Sequence, residues 1–376
     1  MTDPSTGGRA WQRSGRTERR RVPLLDGKVV DLTGPGLTER WGVTSTDLGA
    51  SVVAPNGKLV SVFGDTFSGR RVGDGEWRSP VVLIGTGDAD HEIVYERAGG
   101  PDPDYARQLW HYVHDDPASG WSRSGISTVI PSDLLRVDDS LYLHAIVNRE
   151  FGNVAWTEIW RSDDSGGSWT HLGDDAKFPA GLHGGFAQCW SWDHDPDDGW
   201  VYVVATGFQR DKGIILMRVR PEHIGNRSRY SSWGWDGHRW GWGRRATPIT
   251  PRGERWGELT FRRMARGTWI LGGFLASKYA LGYRVVDSPV ANLHATPIQT
   301  PVVGSAWHGE NHDQNRVAQL YGGYVLPGSR FDVEGGIGLV VSQWNTEAGW
   351  PYRAMQFKAA LKDTSKTVHP SDPVNL

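Results

Sequence analysis

Five times along the chain, a run of β-branched and aromatic residues meets a tight turn and further runs of the same kind follow. The first cycle is TSTDLGASVVAPNGKLVSVFGDTF, residues 44–67. The second passes from Gly125 through ISTVIPSDLLRVDDSLYLHAIVNR, and the third from Gly185 through GFAQCWSW to WVYVVATGF. The fourth is WGELTFRRMARGTWILGGFLAS, and the fifth runs from DQNRVAQLYGGYVLP to IGLVVSQWN and YRAMQFKA. Repetition at roughly 45–80 residues with no sustained helical period marks an array of sheets, since one such unit cannot bury its own apolar face. The chain is therefore expected to be all-β, a five-bladed β-propeller of four-stranded blades around a channel.

Lys28–Leu32, KVVDL, precedes the first cycle and is placed to close the ring by completing the last blade. Three segments follow: an Arg-rich arm over 1–27, the propeller over 28–361, and a Pro-, Ser- and Asp-rich tail over 362–376. The arm has no apolar periodicity, so it is expected to pack on a partner or a neighbouring subunit and not to join the propeller. A net charge of −2 gives no general attraction to nucleic acid or to an anionic membrane. No apolar run follows the N-terminal arginines, and none is long enough to span a bilayer. Release by lysis or a carrier, or residence in a virus particle, is the expected route to any extracellular polymer. Cys189 is the one cysteine and sits in an apolar strand, as a small core residue would.

The chemistry begins at the first hairpin. Asn56-Gly57 between two apolar runs signals a two-residue turn with both residues at positive φ. Asp47 enters the first run and Asp65 leaves the second, so an antiparallel pairing folds eighteen positions of sequence into a short distance. Two neighbouring carboxyls are what glycoside hydrolysis requires, one giving a proton to the leaving oxygen and one acting as base or nucleophile. The same pair would also serve as turn caps in a protein with no catalytic role. Which of the two is acid stays open; the working assignment takes Asp47 as base and Asp65 as acid. Strands that splay at a channel mouth favour the longer separation and an inverting reaction.

Each blade's first strand opens on a polar residue: Asp47, Ser127, Gln188, Glu258 and Asn315. Inner strands line the channel, so these five should meet at one mouth, and a polar ring there is what a ligand site needs. Trp41, His183, Gln188, Trp256, Glu258, Asp313 and Asn315 are the candidate substrate contacts, with Glu258 a rival for one catalytic role. His308, Glu310, His312 and Asp313 alternate along an irregular loop. That is not a preformed ligand set, so the loop reads as substrate-facing, with no metal and no cofactor expected. Trp233, Trp235, Trp240 and Trp242 read first as packing between blades, with sugar stacking the rarer role.

Several stretches together resemble one family: TSTDLG with VFGDTF, the hairpin SDDSGGSW after GIST, and LYGGYVLPG followed by VVSQWN and YRAMQF. Ser162, Asp164, Gly166 and Trp169 resemble the Asp-box turn of sialidase-like propellers, which is structural. The whole looks like the DUF4185 family of actinobacteria and their phages, which includes endo-D-arabinanases of glycoside hydrolase family 183. The resemblance covers most of Val29–Lys358. It implies a five-bladed propeller that cuts the α-D-arabinofuranosyl backbone of mycobacterial arabinogalactan and lipoarabinomannan. It also implies that the two essential carboxylates are Asp47 in TDLG and Asp65 in GDTF. The expected partners are that arabinan and, through the arm, phage tail proteins, with a virion tail or an extracellular location. The other class of function left open is a non-catalytic receptor-binding or structural tail module that grips the polymer.

Overall fold

The computed structural model describes residues 20–22, 26–114, 125–150, 152–331 and 336–365. Within them the chain is all-β, with short 3-10 turns and no α-helix. Five antiparallel sheets follow one another along the sequence, and their first strands adjoin in order until the fifth meets the first. This is a five-bladed β-propeller.

Blade I pairs Leu48–Val53, Leu59–Phe63, Val81–Asp88 and His91–Ala98 in that order from the channel outward. The inner strands of blades II to V are Thr128–Val137, Cys189–Asp195, Trp256–Ala265 and Leu320–Val325. Gly27–Asp31 pairs antiparallel with Tyr352–Ala359 and becomes the outermost strand of blade V, so the N-terminal side closes the ring as expected. Four strands per blade holds for blades I and V only. Blades II, III and IV each recruit a fifth strand from the connection that follows.

The first hairpin has the expected antiparallel register, Val53 opposite Leu59 and Ala50 opposite Val62. Its turn differs from the expectation. Gly57 alone takes a left-handed φ, 78°, with Gly57 N donating to Ala54 O and Ala54 N to Lys58 O. The Asn56 side chain accepts from Lys58 N at 3.0 Å, an Asx contact that fixes the turn without a positive φ at Asn56. In blade II, Asp164 accepts from Ser162 Oγ and from Ser168 N and Oγ, each at 2.8 Å, and Ser162 Oγ accepts from Gly166 N. The Asp-box turn is thus a self-contained clamp.

Two boundary expectations change. Arg20–Val22, the described end of the arm, runs along the outer edge of blade I: Glu92 N donates to Arg20 O, and Val22 N to Asp90 O. That edge offers unpaired backbone groups, and Val22 is buried against it. The rest of the arm, 1–19, lies outside the described residues. At the other end, Lys362 exchanges two backbone bonds with the Gln299 amide, and Thr364 Oγ donates to Val285 O. The start of the tail therefore belongs to blade IV. Cys189 is buried, and burial pushes its thiol up to about 12, in keeping with a core residue.

Candidate active site

Asp47 sits one residue before the inner strand of blade I and faces Gly64, whose N–H donates to Asp47 O at 3.2 Å. Asp65 follows directly, so the hairpin register brings the two carboxyls together at the open end, far from the turn. Leu48 has a left-handed φ of 64°, unusual for a branched side chain. Ser342 of blade V holds it by accepting from Leu48 N at 2.8 Å and donating to Leu48 O at 3.1 Å. Strain held in place by a neighbouring blade is common where a side chain must be aimed.

The two environments differ. Asp47 Oδ2 accepts from the Tyr321 hydroxyl at 2.9 Å, and the Tyr352 hydroxyl also favours its charged form. Burial nevertheless dominates, then the charge of Asp65 and more weakly that of Glu258, and together they lift Asp47 to about 8. Asp65 Oδ1 accepts from Trp77 Nε1 at 2.8 Å and from Thr128 Oγ1 at 2.6 Å. Burial raises Asp65 as well, with the Thr128 and Trp77 bonds pulling it back. Both residues are only partly buried, while Asp47 Oδ1 is itself buried with no partner among the described residues.

Third at the mouth is Glu258, whose Oε1 meets Arg210 Nη2 at 2.5 Å. Its Oε2 is buried without a partner among the described residues. Arg210 lies over the rings of Phe274 and Tyr321, 5.1 and 5.2 Å from their centroids, which ties this ion pair to the tyrosine holding Asp47. On the far side Trp77 stacks on His114 at 3.9 Å and on Phe67 at 5.9 Å. The irregular stretch after His91–Ala98 supports that wall: Ala106 N donates to Trp41 O, and Arg78 Nη1 to Ala106 O.

Of the residues expected at the mouth, Asp47, Asp65 and Glu258 converge and others do not. Ser127 turns to the backbone of Asn148 and Glu150, and the next residue, Thr128, supplies the bond to Asp65. Gln188 uses both amide ends on backbone, Nε2 to Ala180 O and Oε1 from Phe208 N, each at 3.0 Å. It fastens two loops. His183, on the loop before the blade III inner strand, is half-buried with φ 51°, and burial lowers its pKa.

Trp256 is fully buried with Nε1 on Glu254, and Trp41 is buried with the Arg40 guanidinium 3.9 Å over its ring. Neither has a free face for a sugar; both are core. Asn315 precedes Arg316–Ala318, the outermost strand of blade IV, and the Asp313 backbone lies against Gly27 on the outermost strand of blade V. Both belong to the blade flank and not to the mouth. In the same loop Glu310 accepts from Ala318 N at 3.0 Å and from Gln343, and lies 3.1 Å from His312 Nε2. It is a structural brace. Tyr321, Tyr352, Arg210, Trp77 and Thr128 are the site residues that sequence reading missed.

The tight approach at Gly64 gives a direct test. A methyl built there would lie 2.4 Å from Asp47 Oδ1 and 3.1 Å from Leu48 Cδ1. Gly64→Ala must displace the carboxyl, and misplacement of this order costs about 10²-fold in rate. If the pair is catalytic, the expected outcome is a folded protein with kcat down by about that factor; an unchanged kcat would exclude a catalytic role for Asp47.

Residues 33–358 match the family model described as "Domain of unknown function (DUF4185)", and the chain belongs to that family. An uncharacterized 35.9 kDa protein from the asd 3' region of Mycolicibacterium smegmatis is 28% identical, over 85% of this chain and 93% of its own. Notoamide biosynthesis cluster protein J' of Aspergillus versicolor is 29% identical, over 82% and 83%. Among solved structures, a protein of Bacteroides ovatus provisionally assigned as a hydrolase superposes with TM-score 0.59 at 12% identity, covering 90% of both chains. That likeness is one of fold.

Proposed function

We propose that this protein is a glycoside hydrolase that cleaves α-D-arabinofuranosyl linkages inside an arabinan chain. The observation that carries the reading is the Asp47–Asp65 pair, two partly buried aspartates at the open end of one hairpin, one held by tyrosines and the other by a tryptophan and a threonine. Trp77 Nε1 can only donate, and its bond and that of Thr128 favour the charged form of Asp65 against the burial that raises it. Phenol hydroxyls can donate or accept, so Tyr321 and Tyr352 tolerate a protonated Asp47. Being flanked by two other carboxylates, Asp47 is the harder of the pair to ionise.

These environments favour exchanging the working assignment: Asp47 is the general acid and Asp65 the general base. Asp65 takes a proton from water as its oxygen bonds to the anomeric carbon. The C1–O bond to the leaving sugar breaks on the opposite face, and Asp47 gives its proton to the departing oxygen. The products are a new reducing end with inverted configuration and a shortened chain. Separations of ~6.5–9.5 Å between carboxyls leave room for that water. Glu258, fixed by Arg210, stands close enough to Asp47 to add to its resistance to ionising.

The polymer proposed is an arabinan of the mycobacterial envelope, with the protein acting at that surface as a free or phage-borne enzyme; the reading rests on the resemblance of the TDLG and GDTF stretches. Incubation with purified mycobacterial arabinogalactan should release arabino-oligosaccharides, and proton NMR of the first product should show the anomer opposite to the substrate's. Binding of the polymer with no release of oligosaccharides would leave a receptor-binding module and refute the enzyme.

A further inference from the structure

We infer that the outer flank between blades III and IV carries a second carbohydrate site, which takes one neutral sugar residue of a polymer away from the cleaved bond. A recess of about 360 Å³ lies there, lined by Trp233, Trp240, His294, Asp287, Ser288 and Thr364 among others. None of its residues belongs to a channel-lining inner strand, so it is not an arm of the site at Asp47.

The recess is built from two surfaces of different chemistry. On one side stands the outer hairpin of blade III, Ser231–Trp235 paired with Trp240–Trp242. Trp242 of that hairpin is covered by the Arg218 guanidinium at 4.1 Å, whereas Trp233 and Trp240 line the recess. Their rings lie within 11° of parallel with centroids 6.2 Å apart, and both are only half-buried. Such a platform suits the C–H face of a furanose or pyranose, which is apolar and flat enough to lie on an indole.

On the other side the 287–296 connection supplies polar groups. His294 N donates to Asn292 Oδ1 at 3.0 Å and Thr296 Oγ1 to Asn292 O at 2.9 Å, so the loop is fixed by its own turns. His294 Nε2 is buried with no partner among the described residues. Burial and the nearby Arg284 lower the His294 pKa, so at neutral pH its ring offers one donor and one acceptor, as a sugar hydroxyl needs. Thr364, anchored to Val285 O at 2.9 Å, closes the rim.

Charge narrows the ligand class. Among the described residues no lysine or arginine lines the recess, and Arg284 is engaged by Glu254 at 2.5 and 3.0 Å. A phosphate or carboxylate would meet Asp287 with no compensating cation among the described residues. A neutral polyol meets a serine hydroxyl, an imidazole and two indoles. The choice of arabinan as the polymer rests on the proposed function; the sugar class does not.

The test uses the full-length chain carrying Asp65→Asn, so that polymer is not consumed, with soluble D-arabinan as probe and calorimetry as readout. Trp240→Ala is expected to weaken polymer binding about tenfold, and Ser288→Ala by a smaller factor with the fold unchanged. Binding should persist at about 0.5 M salt, because no ion pair is involved. In the otherwise wild-type enzyme, Trp240→Ala should leave turnover of a short arabino-oligosaccharide unchanged and slow that of the polymer. Unaltered polymer affinity in both variants would overturn the site, as would preferential occupancy by inorganic phosphate or tetramethylammonium. Should wild-type protein release no oligosaccharide, the catalytic reading fails alone. The site is then judged by the same calorimetry with xylan and D-galactan as neutral probes, and binding to none of the three polysaccharides refutes it.

Discussion

Asp65→Asn is expected to lower kcat on arabinan by ~10²–10⁴-fold, the usual cost of losing general base assistance. KM should move little, and the melting temperature should not fall, since burial raises Asp65 as well. The amide oxygen still accepts from Trp77 Nε1 and Thr128 Oγ1, which meet Asp65 Oδ1 at 2.8 and 2.6 Å, so the side chain keeps its place. What it loses is the ability to take a proton from water. A second readout separates catalysis from folding. The Asp65 charge is the largest influence on Asp47 after burial, so its removal should bring Asp47 back toward the ordinary carboxylate range. The residual activity should then lose its alkaline limb at a lower pH than in the wild type. Retention of more than about a tenth of wild-type kcat in a folded variant would move the base elsewhere. Glu258, with an unpartnered Oε2, is the next carboxylate to test.

The reach of sequence reading follows from which contacts are local. Asp47 and Asp65 were legible because a single hairpin sets their distance, and its turn and alternation are written in consecutive residues. Five cycles gave five blades for the same reason, and Gly27–Asp31 was recognisable as the closing strand. The partners of the two aspartates were not legible. Tyr321 and Tyr352 come from blade V, Thr128 from blade II and Trp77 from a loop of blade I, and only ring closure brings them to one mouth.

Asn315 shows a different failure. NRVAQLYGGYV reads as one strand, yet Gln319 takes φ 45° and splits it. Arg316–Ala318 joins blade IV, and Leu320–Val325 opens blade V. The inner strand therefore begins five residues later than expected, and its polar group at the mouth is Tyr321. Trp256 was misplaced because a strand's first residue can face either side, and a tryptophan signals burial as readily as sugar binding.

Asp47→Asn should abolish turnover to a similar extent, ~10²–10⁴-fold, and at the same time make the protein more stable above neutral pH. The sign follows from the carboxyl's displacement from its ordinary 3.8 to about 8. Between those two values the folded protein holds a proton that the unfolded chain has released. The unfolded state therefore binds fewer protons, and stability falls as pH rises through this window. The favourable contribution is complete below the unfolded value and is lost as pH climbs through the folded one. Asparagine is neutral at every pH and keeps an acceptor for Tyr321, so it escapes that loss. At about 1.4 kcal/mol per tenfold change in proton affinity, and discounted for the partial exposure of Asp47, the gain at pH 8 is on the order of 1–2 kcal/mol. For a domain of this size that raises Tm by a few degrees, roughly 2–4 °C per kcal/mol. Melting curves of the two proteins should coincide near pH 4 and separate progressively toward pH 9. An inactive variant that is equally stable across that range would show that Asp47 is not held out of its ordinary ionisation, and the acid would have to be sought at Asp65. The two results together, loss of rate with gain of stability at one carboxyl, are what a proton donor kept neutral by its fold should show, and a turn-capping aspartate would lose stability in the same experiment.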